Sequence, residues 1–159
     1  MSKESTLNLF RRLEQLNGIG AALSRERDID RLLENILEGA KTITGADGGT
    51  LYSVTDDQSA LKFEILRTDS LGISLGGTTG KPIDLPLLPL RTADGGPNDS
   101  LVAAHAAIHD RTVNIADAYS AAGFDFSGTR AFDQRKGYRS QSFLTVPMKN
   151  HDLELIGVL

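Results

Sequence analysis

The chain has 159 residues, of which 40% are hydrophobic and 24% are charged, and its formal net charge is -4 at pH 7. This length and composition indicate one globular domain with its own apolar core, and the acidic charge argues against a nucleic-acid-binding surface. Since the sequence contains no cysteine, disulfides, thiolate metal sites and thiol nucleophiles are excluded, and with neither an export signal nor a membrane-spanning segment expected, we predict a cytoplasmic location.

Two amphipathic helices are predicted at the N-terminus. Between Leu7 and Leu23, apolar residues recur at spacings of four and three, which is the pattern of two helices packing side by side. The pattern fits a homodimer seam and an ordinary helix on its own domain equally well. Asp28 is expected to cap a second helix and Gly45 to end it, and the wide apolar stripe between them predicts packing against a sheet.

The middle of the chain changes to a strand-like rhythm. After Asp47, apolar and polar residues alternate on both sides of a polar turn at 55–59, which predicts a β-hairpin. The following segment, 70–97, is rich in glycine and proline, so we expect only 83–90 to form a strand, at the sheet edge. Gly76–Lys81 matches no phosphate-binding loop and is interpreted as a flexible connection.

A short helix over Ser100–His109 is predicted next, with Asn98 or Asp99 as its cap, and a strand follows over Thr112–Asp117. Two histidines of this helix, His105 and His109, are four residues apart and would share one face. They lack the glutamate of a metalloprotease motif and are interpreted as solvated, so no metal site is expected. No nucleophile elbow occurs in the sequence, so no catalytic residue is expected either.

The last third begins with a long segment, Ala118–Gly137, which shows no clear period and is expected to be functional or mobile. Two strands over 140–149 and 153–159 flank a turn in which His151 should be exposed. The order of helices and strands predicts an α+β fold with an antiparallel sheet and helices mainly on one side.

Several stretches of the sequence resemble GAF domains of the type found in cyclic-nucleotide phosphodiesterases and in bacterial HD-GYP and cyclase signalling proteins. They are VNIADAY (Val113–Tyr119), DQRKGYRSQSFLTVPM (Asp133–Met148), the closing IGVL and the N-terminal LLENILEGAKTITGADGGTLYSV. The resemblance implies a PAS-like (profilin-like) six-stranded antiparallel sheet, with the N-terminal helices on one face and a lid of short helices and loops on the other. It further implies that 1–159 is a single GAF domain that stops before its last helix.

The function implied by the resemblance is non-catalytic sensing of a small molecule, such as a cyclic nucleotide, within a signal-transduction protein. The partners implied are that ligand, a second copy bound through the N-terminal helix, and a C-terminal phosphodiesterase, cyclase or kinase domain in the parent chain. No other cofactor and no membrane or nucleic-acid partner is expected. The alternative is a constitutive dimerisation scaffold without a ligand. The absence of cysteine removes two activities of relatives, bilin attachment and reduction of free methionine sulfoxide.

Ligand contacts are expected from the strand predicted over Thr112–Asp117, from the lid segment Ala118–Gly137 and from the strand predicted over 140–149. An aromatic wall with a few polar groups suits a purine-like ligand. The predicted ligand-binding residues are Asn114, Asp117, Tyr119, Phe124, Phe126, Phe132, Asp133 and Ser142. Basic residues of the lid, among them Arg130 and Arg139, would either attract a phosphate group or form salt bridges with nearby aspartates.

Overall fold

The computed structural model describes residues 3–159, with side chains from Leu7 onward. This part of the chain forms four α-helices: α1 (Lys3–Arg25), α2 (Ile29–Thr44), α3 (Val102–His109) and α4 (Ser127–Lys136). It also forms eight strands: β1 (Gly48–Val54), β2 (Ala60–Thr68), β3 (Ile73–Gly76), β4 (Leu88–Pro89), β5 (Val113–Ile115), β6 (Phe143–Thr145), β7 (Pro147–Lys149) and β8 (Leu155–Val158). A 3-10 turn, Gly77–Thr79, follows β3. None of the described helices is long and apolar enough to cross a membrane.

Six of the strands form one sheet, in the order β3-β2-β1-β8-β7, with β4 also paired to β2. The pairs that β2 makes with β3 and β4, and that β8 makes with β1 and β7, are antiparallel. A separate two-stranded ladder joins β5 and β6, also antiparallel. The α+β class and the six-stranded antiparallel sheet are therefore confirmed.

The strand predicted over 140–149 is divided between the two ladders at Val146. Before this residue β6 pairs with β5, and after it β7 pairs with β8. Val146 itself exchanges two backbone hydrogen bonds with Leu159, with N–O distances of 2.7 and 2.9 Å. The prediction of one continuous strand is wrong because alternation of apolar and polar residues does not reveal a change of pairing partner.

The described chain divides into two compact units. The first contains the described residues up to Thr50 together with Ile65–Ile83, and the second contains Leu51–Glu64 and Asp84–Leu159. Strands β1 and β2 contribute residues to both units. Every ligand-binding residue predicted from the sequence belongs to the second unit.

In the first unit, α2 begins and ends where the sequence predicts. The Asp28 carboxylate accepts a 3.0 Å hydrogen bond from the backbone N–H of Arg31, and Gly45 ends the helix in the left-handed conformation with φ 66°. The apolar stripe buries Leu37, which is 1% exposed. A Cβ atom at Gly49 would lie only 2.5 Å from Leu37 Cδ1, so any larger residue there would displace this buried side chain.

The turn that follows β3 is fastened to α2 by Glu34. The Glu34 carboxylate accepts hydrogen bonds from the backbone N–H of Thr78 at 3.0 Å and from its hydroxyl at 2.8 Å, and it pairs with Arg67. Gly77 has φ 55°, and a Cβ atom there would lie 2.6 Å from Glu34 Oε1. The interpretation of Gly76–Lys81 as a flexible connection is therefore wrong, because its glycine permits a fixed turn rather than mobility.

The first helix, α1, is continuous, as predicted. A Cβ atom at Gly39 of α2 would lie 3.0 Å from Ile19 Cγ2, so the two helices approach closely there. Toward the N-terminus of α1, three leucines of the predicted seam remain about half exposed: Leu9 50%, Leu13 47% and Leu16 48%. The second half of the helix therefore packs on α2, whereas the first half leaves its apolar residues accessible.

In the second unit, α3 covers an apolar cluster. Ala103 and Ala107 of α3 pack with Leu61 of β2 and Val158 of β8. The helix begins at Val102 after Leu101, which makes no side-chain cap hydrogen bond, so the prediction that Asn98 or Asp99 caps it is wrong. The buried Asn98 side chain instead donates a 2.8 Å hydrogen bond to the backbone carbonyl of Pro89, and the Asp99 carboxylate binds two histidines of the same helix.

Three further elements differ from expectation. The edge strand predicted over 83–90 is reduced to Leu88–Pro89, because its prolines have no backbone N–H to donate. Strand β3 lies in the glycine-rich residues that precede 83–90, where the sequence predicts no strand. The segment predicted to be irregular, 118–137, contains α4, whose polar composition gives no apolar period to detect.

Candidate functional site

The residues that follow β5 rest on a small apolar cluster. Ile115, Ala118 and Phe126 are its buried members, at 6%, 0% and 3% exposure. Phe124 and Phe143 flank Phe126, with ring centroids 6.4 and 5.5 Å away. Phe126 is therefore part of the core beneath the segment.

An open groove of about 360 Å³ lies over this segment. Its polar groups are Asn114, Asp117 and Ser120, and its aromatic wall is Phe124. The remaining lining residues are small or aliphatic: Val113, Ile115, Ala116, Ala121 and Ala122. The volume falls within the ~300–1,000 Å³ range of small-molecule sites, and an apolar wall with a few polar groups is their usual composition.

The groove brings together three of the eight residues that the sequence indicates as ligand contacts, Asn114, Asp117 and Phe124. The other five lie outside its lining, and each has a definite place. Phe126 is in the core, Phe132 is half-buried on α4, Ser142 is exposed just before β6, and Tyr119 and Asp133 form a hydrogen-bonded pair.

Asp133 is a buried carboxylate, 1% exposed, on α4. Its Oδ2 atom accepts hydrogen bonds from the Tyr119 hydroxyl at 2.8 Å and from the Ser140 backbone N–H at 2.7 Å. Its Oδ1 atom accepts one from the Ser140 hydroxyl at 2.8 Å. Both oxygens are engaged by the protein itself, so Asp133 joins α4 to Ser140 and to Tyr119, which lies between the groove residues Asp117 and Ser120.

Two arginine side chains lie over the Tyr119 ring and form a cationic patch there. The Arg139 guanidinium lies 3.7 Å from the Tyr119 ring centroid, and that of Arg130 lies 5.4 Å away. The hydrogen bond to Asp133 raises the pKa of the Tyr119 hydroxyl above its usual value, so the phenol is neutral at physiological pH.

Asp117 connects this cationic patch to the groove. Arg139 Nη2 contacts both oxygens of its carboxylate, at 3.0 and 3.1 Å, and the backbone N–H of Tyr119 donates a 2.9 Å hydrogen bond to Oδ1. The backbone hydrogen bond, followed by the Arg139 contact, lowers the pKa of Asp117 against the opposing effect of desolvation. The groove therefore has a carboxylate in its lining, and this carboxylate is paired with the Arg139 guanidinium.

A second groove, of about 260 Å³, lies in the first unit between α1 and α2. Its lining residues are Gln15, Gly18, Ile19, Ala22, Asn35, Glu38, Gly39 and Thr42. It has no aromatic wall, so it suits a planar ligand less well than the groove beside β5.

Sequence reasoning missed most of the groove lining. Ala116, Ser120, Ala121 and Ala122 form it by being small, and small residues carry no chemical signal of their own. The alanine-rich run ADAYSAAG (116–123) is the one pattern that could have indicated an accessible backbone here. Asp99 was also missed as a partner of His105 and His109, since it lies outside their helix.

Comparison with known proteins places these features in a family. Residues 28–159 match the family model described as the GAF domain. The GAF domain of a phosphoenolpyruvate-protein phosphotransferase from Coxiella burnetii is similar, with a TM-score of 0.66, 14% identity, and 95% of this chain and 76% of that chain covered.

Two other similar solved structures belong to proteins with different functions. Free methionine-R-sulfoxide reductase from Neisseria meningitidis, in complex with its substrate, has a TM-score of 0.56 and 20% identity over 99% of this chain and 74% of that chain. A methyl-accepting chemotaxis protein has a TM-score of 0.55 and 20% identity over 88% of this chain and 75% of that chain. At these identities the similarity shows a shared fold, which occurs both in signalling proteins and in an enzyme.

Proposed function

The chain belongs to the GAF domain family, and from this premise we propose that it is a non-catalytic sensory domain that binds a small planar ligand in the groove beside β5. The observation that carries the proposal is the presence of Phe124, Asn114 and Asp117 in one groove. Phe124 offers a ring on which a heterocycle stacks, Asn114 offers an amide that both donates and accepts, and Asp117 accepts from an amino group.

A cyclic nucleotide is the ligand class that we select for testing. Its base would occupy the wall formed by Phe124 and Asn114, and its phosphate would compete with Asp117 for the Arg139 guanidinium, which is 3.0 Å from that carboxylate. Binding would change the contacts between the groove edge and the Tyr119–Asp133 pair. Differential affinity for the two arrangements is what would regulate an output domain of the parent protein.

A non-catalytic role is supported by the residues that the chain contains. Reduction of methionine sulfoxide by a GAF relative uses thiol chemistry, and this sequence has no cysteine to supply a thiol. The groove lining also contains no histidine that could act as a base for a serine nucleophile. Its single hydroxyl group, that of Ser120, donates a 3.3 Å hydrogen bond to the backbone carbonyl of Asp117.

Thermal unfolding in the presence of cyclic AMP, cyclic GMP and the matching nucleosides tests the ligand proposal. A ligand at 100 times its dissociation constant adds about 2.7 kcal/mol of stability. We expect a shift that Phe124→Ala and Asn114→Ala abolish and that Asn17→Ala, a matched change on the exposed face of α1, preserves. A shift with the nucleoside alone would assign recognition to the base, and no shift with any compound would refute cyclic-nucleotide sensing.

A second candidate function is dimerisation through α1, favoured by the exposure of Leu9, Leu13 and Leu16 along one helical seam. Three apolar side chains near half exposure on a single helix are typical of a helix that pairs with a second copy. In this case the domain acts as a scaffold whether or not the groove is filled.

Sedimentation analysis of the full chain tests the dimer. We expect a dimer that dissociates more readily when Leu9→Glu and Leu13→Glu are combined, because a buried carboxylate at the seam is costly. Leu85→Glu is the matched control, since Leu85 is also exposed, at 48%, but lies outside α1. A monomeric wild-type chain, or equal effects of the two sets, would contradict the proposal.

A further inference from the structure

Two histidines of α3 converge on one carboxylate. His105 Nδ1 lies 3.0 Å and His109 Nε2 lies 2.6 Å from the same atom, Oδ1 of Asp99. The three groups offer their ligand atoms within 4.8 Å of one another. This arrangement belongs neither to the groove lining nor to the contacts described for its edge.

The convergence follows from helix geometry. His105 and His109 are one turn apart and share a face, with their ring centroids 4.5 Å apart. Side chains on a helix lean toward its N-terminus, so both rings point back toward Asp99, which lies before the first turn. The helix itself is anchored in the core by its buried alanines, and its backbone therefore holds the pair in place.

From this geometry we infer that Asp99, His105 and His109 form a binding site for one zinc ion. Imidazole nitrogen and carboxylate oxygen are ligand types that Zn²⁺ uses in proteins, and three protein ligands with an open fourth position is a common arrangement. The ion would replace the ring protons that both histidines now direct at Asp99 Oδ1.

The two separations from Asp99 Oδ1 suit zinc with small adjustments, and the two ring nitrogens lie within 4.8 Å of each other. Bonds of about 2.0–2.1 Å in a tetrahedral site place neighbouring ligand atoms about 3.3 Å apart. The present separations of 3.0 and 2.6 Å would therefore open by only about 0.3 and 0.7 Å to match that tetrahedral spacing.

The three ligand groups are accessible to an ion, and one of them is held by a neighbouring ring. The side chains of His105, His109 and Asp99 are 30%, 40% and 47% exposed, so an ion can reach them. The His105 ring meets the edge of Phe124 at 5.3 Å, which fixes its orientation. The interpretation of the pair as merely solvated did not include Asp99, which supplies the third ligand.

Calorimetric titration of the metal-stripped chain with zinc chloride tests the site without any organic ligand, so it is independent of the proposed function. We expect one ion per chain, and binding at least about tenfold weaker in His109→Gln and in Asp99→Asn. His151→Gln is the matched control, because His151 is also 3.1 Å from a carboxylate, that of Asp152, but belongs to no group of three ligands among the described residues. It should bind zinc as the wild type does.

Cobalt absorption in the visible range provides a readout on the wild-type chain alone, in case a variant does not fold. Tetrahedral Co²⁺ in a site with nitrogen and oxygen ligands gives an intense ligand-field band, whereas hexa-aqua Co²⁺ does not. Zinc addition should abolish this band with one-to-one stoichiometry. The proposal is overturned if the wild type binds neither ion, or if the His109 and Asp99 variants bind zinc as tightly as the His151 variant.

Discussion

The hydroxyl of Tyr119 and the carboxylate of Asp133 are joined by a 2.8 Å hydrogen bond at the edge of the groove. Tyr119 is 37% exposed and Asp133 is 1% exposed, so the pair connects the surface to a buried charge. Ser140 completes the arrangement with two more hydrogen bonds to the same carboxylate. The segments around Tyr119, Asp133 and Ser140 are therefore held together by one side chain.

Removal of this carboxylate should be costly. We expect Asp133→Ala to lower the free energy of unfolding by about 2–4 kcal/mol, because it leaves buried donors without an acceptor. Tyr119→Phe keeps the ring and should cost only about 1 kcal/mol. Urea unfolding measures both, with Asp84→Ala as an exposed control. A loss for Asp133→Ala no larger than that of the control would contradict the role assigned to it.

Two glycine substitutions should act in opposite directions. A Cβ atom at Gly157 in β8 would lie 2.1 Å from the Tyr52 carbonyl oxygen and 2.9 Å from Met148 Cε. Gly157→Ala should therefore destabilise the chain by about 2 kcal/mol or more, as an overpacked site does. Gly18 in α1 has no atom within 4 Å of such a Cβ, and Gly18→Ala should stabilise by about 0.5–1 kcal/mol. Equal melting temperatures for the two variants would disprove the close approach.

The turn between β1 and β2 should show a strongly acidic carboxyl. Hydrogen bonds from the Thr55 hydroxyl and then from the Ser59 hydroxyl and backbone N–H lower the pKa of Asp57 to about 2. Since the unfolded value is 3.8, its contribution to stability is present above that pH and is lost as the pH falls through about 2.

Carboxyl NMR titration reports this pKa directly. The midpoint in Thr55→Val should move up toward 3.8, because the hydroxyl donor is lost and a methyl group replaces it. Ser59→Ala should move it in the same direction. A wild-type midpoint near the unfolded value would show that these donors do not bind the carboxylate in solution.

The start of α2 depends on a single cap. The Asp28 carboxylate accepts from the Arg31 backbone N–H at 3.0 Å, so Asp28→Ala should cost about 1 kcal/mol in chemical unfolding. Asp28→Asn keeps an oxygen acceptor and should lower the free energy of unfolding by only about a few tenths of a kcal/mol. If both variants lose the same amount, charge rather than capping stabilises this end of the helix.

The elements that the sequence predicted well are those specified by neighbours along the chain. Asp28 and Gly45 bound α2 because caps act within one turn, and the β1–β2 hairpin follows from its own alternation. In contrast, α4 is held by Asp133, whose partners lie 7 and 14 residues away in sequence. Such contacts leave no local period, so the sequence predicts only an irregular segment where α4 lies.

The candidate site shows the same difference between features that the local sequence specifies and features that depend on the folded chain. Asn114, Asp117 and Phe124 could be selected from the sequence because their side chains have binding chemistry, and the groove contains all three. Phe126 has similar chemistry but fills the core, and no sequence pattern distinguishes a core ring from a ring at a surface. The sequence alone favours Asp99 as a helix cap, because its distance from His109 becomes short only after the helix folds.

The division of the C-terminal strand at Val146 has a mechanical consequence. Residues 143–145 are bonded to β5, which lines the groove, and residues 147–149 are bonded to β8 of the larger sheet. A displacement of β5 by a bound molecule would be passed to β6 and from there to β7 through one residue of covalent backbone. The two backbone hydrogen bonds between Val146 and Leu159 lie at the point where the movement would pass from one ladder to the other. Hydrogen exchange of these two amides is therefore where such a movement would be detected first.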